Sequence, residues 1–341
     1  MNNMKRILAA ASAAAMALSM TACAGNGALS AASGDDAFPI TLCLDWTPNT
    51  NHTGIYAAKA LGYFADAGLD VTIVQPPEDG AVSVCASGQA DFSIDAQDTL
   101  AAAFALSDPL PVTAVAALLQ HNTSGIISRA GEGIDTPAGL AGHTYSTWNS
   151  PIELAMLKKL VTDGGGDWSD VTLIPNNITD EASALAVNQT DAVWVFYAWG
   201  GLNVKLSGLD FDYWSIADQN ETFDYYTPVL VANNDFLAEH PDETKAFLAA
   251  LEKGYAYAAE NPDDAAQLLI DGDDTGSLSG AEKLVKTSQE WLADKYVADA
   301  PKWGYIDPDR WNAFYKWLDD NGLVENQIPE NYGFTNDYLS D

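Results

Sequence analysis

The chain has 341 residues, 48% of them hydrophobic, with Lys+Arg 15 against Asp+Glu 48 and a formal net charge of -33 at pH 7. Such an acidic balance excludes nucleic acid as a partner, because phosphate neutralisation needs clustered Lys and Arg, and the apolar content excludes a disordered chain. The length is enough for a large core and points to two domains.

The first segment, "MNNMKRILAAASAAAMALSMTAC", places Lys5 and Arg6 before an apolar run and small residues before Cys23. That order is an export signal. Met20-Thr21-Ala22-Cys23 resembles the bacterial lipobox, which implies removal of residues 1–22 and a diacylglycerol on Cys23. The plainer reading is a secretory signal with a chance cysteine. Residues 23–37, rich in Gly, Ala and Ser, read as a flexible tether. No later stretch is long and apolar enough to span a bilayer. Cys43 and Cys85 lie in apolar company and are expected as free buried thiols.

From residue 40, β-rich runs alternate with helical stretches, the pattern of an α/β protein with largely parallel sheets. "ITLCLDW" reads as a strand, "TGIYAAKALGYF" as a helix, and "LDVTIVQP" as a strand stopped by Pro76 and Pro77. "GAVSVCASG" is a helix with Gly88 as its C-terminal cap. "ADFSID" and "PVTAVAALLQ" are strands on either side of the helical "AQDTLAAAFAL". The alternation then restarts. "SGIISRA", "HTYSTW", "VTLIPN" and "DAVWVFYAW" are strands, separated by the helices "TPAGLAG", "SPIELAMLKKLVTDGGG" and "DEASALAVNQT". After "DYYTPVLVANN" the chain becomes purely helical, with apolar faces that pack back on the first unit. Residues 38–126 and 228–341 are therefore expected to form lobe I and residues 127–227 lobe II. Hinges are expected near 125–129 and 226–230. A cleft between two such lobes is a preferred ligand site.

Sequence motifs for catalysis are missing. There is no GxSxG elbow, HExxH pair or GxxxxGKS/T loop. His52, His121, His143 and His240 lack local metal-ligand spacing, and the cysteines form no CxxC. With 48 acids, chance carboxylate pairs carry no message. No enzyme, metal site or cofactor is expected.

Polar and aromatic groups instead collect at strand ends. Asp45, Trp46, Asn49 and His52 follow the first strand, and Gln97 follows the third. Ser124, Trp148, Tyr197, Trp199, Asp224, Tyr225 and Tyr226 mark later ones. Each has a plainer reading: Trp46, Trp194 and Tyr226 as core aromatics, Asn49 as a cap, His52 as a surface residue. As a set they read as ligand contacts. Asp45, Asn49 and His52 supply donors and acceptors, and Trp46 and Tyr226 supply faces for a planar ring. No Arg or Lys lies in these loops, which disfavours an anion, although helix N-termini bind anions without them.

"LDWTPNTNHTGIYAAKALGYFADAGLDV", with "ASGQADFSI", "AALLQHNTSGIIS", "DAVWVFYAW", "FDYYTPVLVANN" and "WGYIDPDRWNAFYKWL", resembles the ABC-transporter receptors for formylaminopyrimidine, relatives of the fungal thiamine-pyrimidine synthase. The likeness covers residues 38–339. It implies a type II periplasmic-binding-protein fold closing over a small solute, and a permease and its ATPase as partners. With the lipobox it implies a lipid-anchored, monomeric protein on the extracytoplasmic side of the cell membrane. Receptors for riboflavin, taurine, alkanesulfonates and nitrate share the superfamily. The resemblance also implies an acid just past the tryptophan of "FYAW", where this chain has Gly200 and Gly201. The synthase's cysteine-rich motif has no counterpart, which argues against that chemistry. An enzyme on the same fold and a surface adhesin are the rival readings.

Overall fold

The computed structural model describes residues 37–78 and 80–340. The expected leader, Cys23 and all of the tether but its last residue lie outside the described residues. The strands are β1 (Phe38–Cys43), β2 (Leu69–Val74), β3 (Phe92–Asp95), β4 (Val112–Ala117), β5 (Ser124–Arg129), β6 (Thr144–Thr147), β7 (Thr172–Pro175), β8 (Ala192–Phe196), β9 (Phe211–Ser215) and β10 (Val229–Asn233). They form two five-stranded sheets, ordered β2-β1-β3-β10-β4 and β7-β6-β8-β5-β9. β1 runs parallel to β2 and β3, while β10 is antiparallel to β3 and β4. In the second sheet β6 is parallel to β7 and β8, and β5 is antiparallel to β8 and β9. β3 and β10 are buried at every position, as strands covered on both faces must be.

The chain crosses from the first sheet to the second through residues 118–123 and returns between Ser215 and Val229. The lobe boundary expected at residue 126 falls inside β5, where Ser124, Gly125 and Ile126 already pair with Phe196, Val195 and Trp194. The hinge expected at 125–129 is therefore strand. β5 is paired on both sides, by β8 and β9, with Ile126 and Ile127 fully buried, and the connection lies upstream.

Helices cover both sheets. Pro241–Glu260 packs on Thr53–Ala60, and a Cβ at Gly254 would stand 2.0 Å from the Gly54 carbonyl oxygen. Glycine is required there because the two backbones nearly touch. Pro308–Asp320 buries Trp311, Phe314 and Leu318 in a core shared with Leu100 and Phe104. Its Phe314 stacks on Tyr225 of the returning chain at 4.3 Å. Cys43 and Cys85 are both buried and free. Among the described residues no helix is long and apolar enough to cross a membrane.

Two local readings change. β8 stops at Phe196 rather than running to Trp199, and Tyr197–Gly201 forms one turn of π-helix. The glycine pair permits that turn: a Cβ at Gly201 would meet the Tyr197 ring at 2.7 Å, and one at Gly200 would meet Glu181 Oε1 at 3.0 Å. β9 was not anticipated. It is a short edge strand, mostly half-buried, without the apolar run that marks its neighbours.

Candidate ligand-binding cleft

Between the lobes lies a cleft with two connected chambers. One, about 450 Å³, is lined by Asp45, Asp95 and Asp98 from lobe I, Trp148, Glu153 and Trp194 from lobe II, and Tyr225 of the return crossover. The other, about 350 Å³, adds Trp46, Asn49, Glu181 and Trp199. The chambers share Asp45, Trp148, Trp194, Phe196 and Thr227. These volumes suit a small solute.

The opening turn is built to hold Asp45 and Trp46 in place. Asn49 caps the turn Thr50–His52: its Oδ1 accepts from Asn51 N at 2.9 Å, while His52 Nδ1 accepts from Asn49 N at 3.2 Å. The other ring nitrogen, His52 Nε2, lies 2.7 Å from Asp45 Oδ1. Fully buried, His52 does not line the cleft but orients Asp45, which does. Trp46, 50% exposed, stands at the mouth.

Lobe II supplies the facing wall. Ser150 and Glu153 form a capping box at the start of Pro151–Asp163. The Glu153 carboxylate accepts from Tyr145 Oη at 2.6 Å, Thr147 Oγ1 at 2.9 Å and the amides of Trp148 and Ser150. This holds the 147–150 turn, which presents Trp148 to the cleft 5.6 Å from Trp194.

Not every expected contact reaches the site. Gln97 is fully buried, bridging Trp311 O and Tyr226 N. Ser124 bonds Asn122 Oδ1 through its amide and hydroxyl. Asp224 accepts from Asn122 N at 2.8 Å and lies 2.6 Å from His121 Nδ1, tying the two crossovers together. Tyr226 is buried, its Oη accepting from Asp307 N at 2.8 Å. Tyr197 lines a different crevice, behind the crossovers, with Tyr213, Trp291 and Lys295. Asp45, Trp46, Asn49, Trp148, Trp199 and Tyr225 are brought together at the cleft.

Cleft-lining residues outside the expected set are Asp95, Asp98, Glu153, Glu181, Trp194, Phe196 and Thr227. Period-two alternation signals several of them. Positions 194 and 196 share a strand face, and 225 and 227 share a side of the extended return segment. Tyr197, Asp224 and Tyr226 fall on the other phase and do not line the cleft.

The cleft is strongly acidic. Asp45, Asp95, Asp98, Glu153 and Glu181 line it, and no Lys or Arg is among its described lining residues. Burial pushes Asp95 well above the carboxylate range, the charges of Asp45 and Asp98 add to this, and the Ser93 hydroxyl offsets only part. Burial raises Asp98 to about 6 and also raises Glu181. Asp98, Glu153 and Glu181 each sit in the first turn of a helix. The helix N-termini that would otherwise hold an anion thus face carboxyl groups of the chain itself. Among the described residues no group of His, Cys, Asp and Glu is arranged to hold a metal ion.

Residues 49–265 match the family described as NMT1/THI5 like. The chain belongs to this family. It is 30% identical over 300 residues to the formylaminopyrimidine-binding protein of Halalkalibacterium halodurans, covering 87% of this chain and 90% of that protein. It is 24% identical over 241 residues to the 4-amino-5-hydroxymethyl-2-methylpyrimidine phosphate synthase of Schizosaccharomyces pombe, covering 65% and 66%. Among solved structures, the alkanesulfonate-binding protein SsuA from Xanthomonas axonopodis pv. citri superposes with a TM-score of 0.64 at 12% identity, covering 89% of this chain and 99% of that one. The fold of this NMT1/THI5-like chain is thus that of the two-lobed periplasmic binding proteins, with the Gly200–Gly201 turn backed by Glu181 from the neighbouring helix.

Proposed function

We propose that the chain is the substrate-binding component of an ABC importer, anchored by lipid on Cys23 at the extracytoplasmic face of the membrane. Its solute is a small, planar, donor-rich heterocycle of the thiamine-pyrimidine class, such as formylaminopyrimidine, passed unchanged to a permease and its ATPase. The observation that carries the reading is the cleft itself: five carboxyl groups, aromatic walls from Trp46, Trp148 and Trp199, and no lining Lys or Arg among the described residues. Such a surface favours amino groups and protonated rings and repels sulfonates and nitrate. The 30% identical relative, a binding protein by name, supports the same class.

Calorimetric titration with formylaminopyrimidine, 4-amino-5-hydroxymethyl-2-methylpyrimidine, riboflavin and taurine tests the ligand. Binding to the first pair and none to taurine is expected. Tight taurine binding defeats the reading. Mass spectrometry before and after incubation separates a receptor from an enzyme, since a receptor returns its ligand intact. For the anchor, Cys23→Ser is expected to move the protein out of the membrane fraction.

A further inference from the structure

We propose that Asp95 of lobe I and Trp194 of lobe II, both lining the 450 Å³ chamber, form a subsite that reads an amidine-type edge, a ring nitrogen beside an exocyclic amino group. The inference rests on the receptor reading above and assigns the polar contacts that fix the ligand's orientation.

The partners of the cleft carboxyls single out Asp95. Asp45 is held by His52 at 2.7 Å, and Glu153 receives two hydroxyls and two amides. Asp98 and Glu181 take backbone amides of their own helix starts. Asp95 is only 7% exposed, with the Ser93 hydroxyl beside its carboxyl group, and its Oδ2 is buried without a hydrogen-bond partner. Trp194 is 4% exposed, and its Nε1 is likewise unpartnered. Both residues line the 450 Å³ chamber. An orphaned buried polar group costs roughly 1 to 3 kcal/mol, and one on each lobe of the same chamber, an acid from β3 and a donor from β8, describe what a ligand must bring.

The groups facing Asp95 give it no counter-charge. They are Asp45 and Cys43 on and after β1, Asp98 on the following helix, and Cys85 on Ala81–Ala86. Burial and these neighbours favour the protonated form of Asp95. A protonated carboxyl presents an O–H donor beside a C=O acceptor. Its complement is an acceptor beside a donor, as in a 4-aminopyrimidine: the acid O–H donates to the ring nitrogen and the amino N–H donates to the carbonyl oxygen. One proton is shared by the pair, and its transfer to the ring leaves a carboxylate facing a ring N–H cation with no net proton exchanged. Trp194 Nε1–H then donates to a remaining acceptor of the ligand. A sulfonate or carboxylate ligand brings only acceptors and cannot satisfy the Asp95 carbonyl oxygen.

The test is titration calorimetry from pH 5 to 9 with 4-amino-5-hydroxymethyl-2-methylpyrimidine and the same pyrimidine lacking the 4-amino group, using wild type, Asp95→Asn, Asp95→Leu and Trp194→Phe. Wild-type affinity is expected to weaken as pH rises through the raised Asp95 value. Asp95→Asn keeps a fixed donor and acceptor, so its affinity stays within about 10-fold and loses that pH dependence. Asp95→Leu is expected to bind at least about 30-fold more weakly, and Trp194→Phe about 10-fold, with melting temperatures no lower than that of Asp95→Asn. The subsite is overturned if Asp95→Leu binds like wild type, or if the analogue without its amino group binds equally well, while the receptor reading stands. If wild type binds neither pyrimidine at any pH, the aminopyrimidine reading falls and takes the subsite with it.

Discussion

The turn residues Trp46 and Asn49 lie three positions apart in the sequence yet do different work, and substitution separates them. Trp46→Ala removes a half-exposed ring from the mouth, so affinity is expected to fall by roughly 10-fold or more with the melting temperature unchanged. Asn49→Ala removes a capping side chain and is expected to cost about 1 kcal/mol of stability, read in urea unfolding. Asp98 makes the pH argument. Its folded value near 6 lies above that of an unfolded aspartate, so the stability it confers is full below about pH 4 and is lost as pH rises through 6. Asp98→Asn should therefore stabilise the protein at pH 7 by on the order of 1 to 3 kcal/mol and flatten the melting profile between pH 4 and 7. That Asp45, Trp46 and Asn49 line the cleft was legible because they follow a clear strand. His52, equally prominent in the sequence, turned inward, since a ring with two polar nitrogens completes both the cap and the aspartate.

At the scale of elements, most strands were readable because buried parallel strands carry continuous apolar runs. The π-turn at Tyr197–Gly201 and the edge strand β9 were not, because one depends on close approach by Glu181 and the other lacks a buried face. The contact between Thr53–Ala60 and Pro241–Glu260 depends on Gly254, separated in sequence from Gly54 by most of the chain. Gly254→Ala forces the helices apart and is expected to destabilise by roughly 1 to 3 kcal/mol or more, with ligand affinity retained in whatever remains folded. The crossovers are joined through His121, which lies 2.6 Å from Asp224 and 2.9 Å from Asp299. The Asp224 hydrogen bond raises the His121 value, so this tie is complete below the ordinary histidine range and weakens as pH rises through the raised one.

For the whole molecule, a net charge of -33 stores self-repulsion that salt screens. Raising sodium chloride from 20 to 500 mM is expected to increase the melting temperature by on the order of a few degrees. If the lobes close about the 118–123 crossover and the return segment, small-angle scattering with saturating ligand will show compaction, and an unchanged radius would contradict a closing receptor. The free thiols carry a different message. Cys43 and Cys85 are fully buried, and burial pushes them up to about 11 and about 12, so neither attacks an alkylating reagent while the first sheet is intact. In the Cys23→Ser form, the rate of iodoacetamide uptake then becomes a clock for how often that sheet comes open. The protein carries its own gauge of local unfolding, and a true ligand is the molecule that slows it.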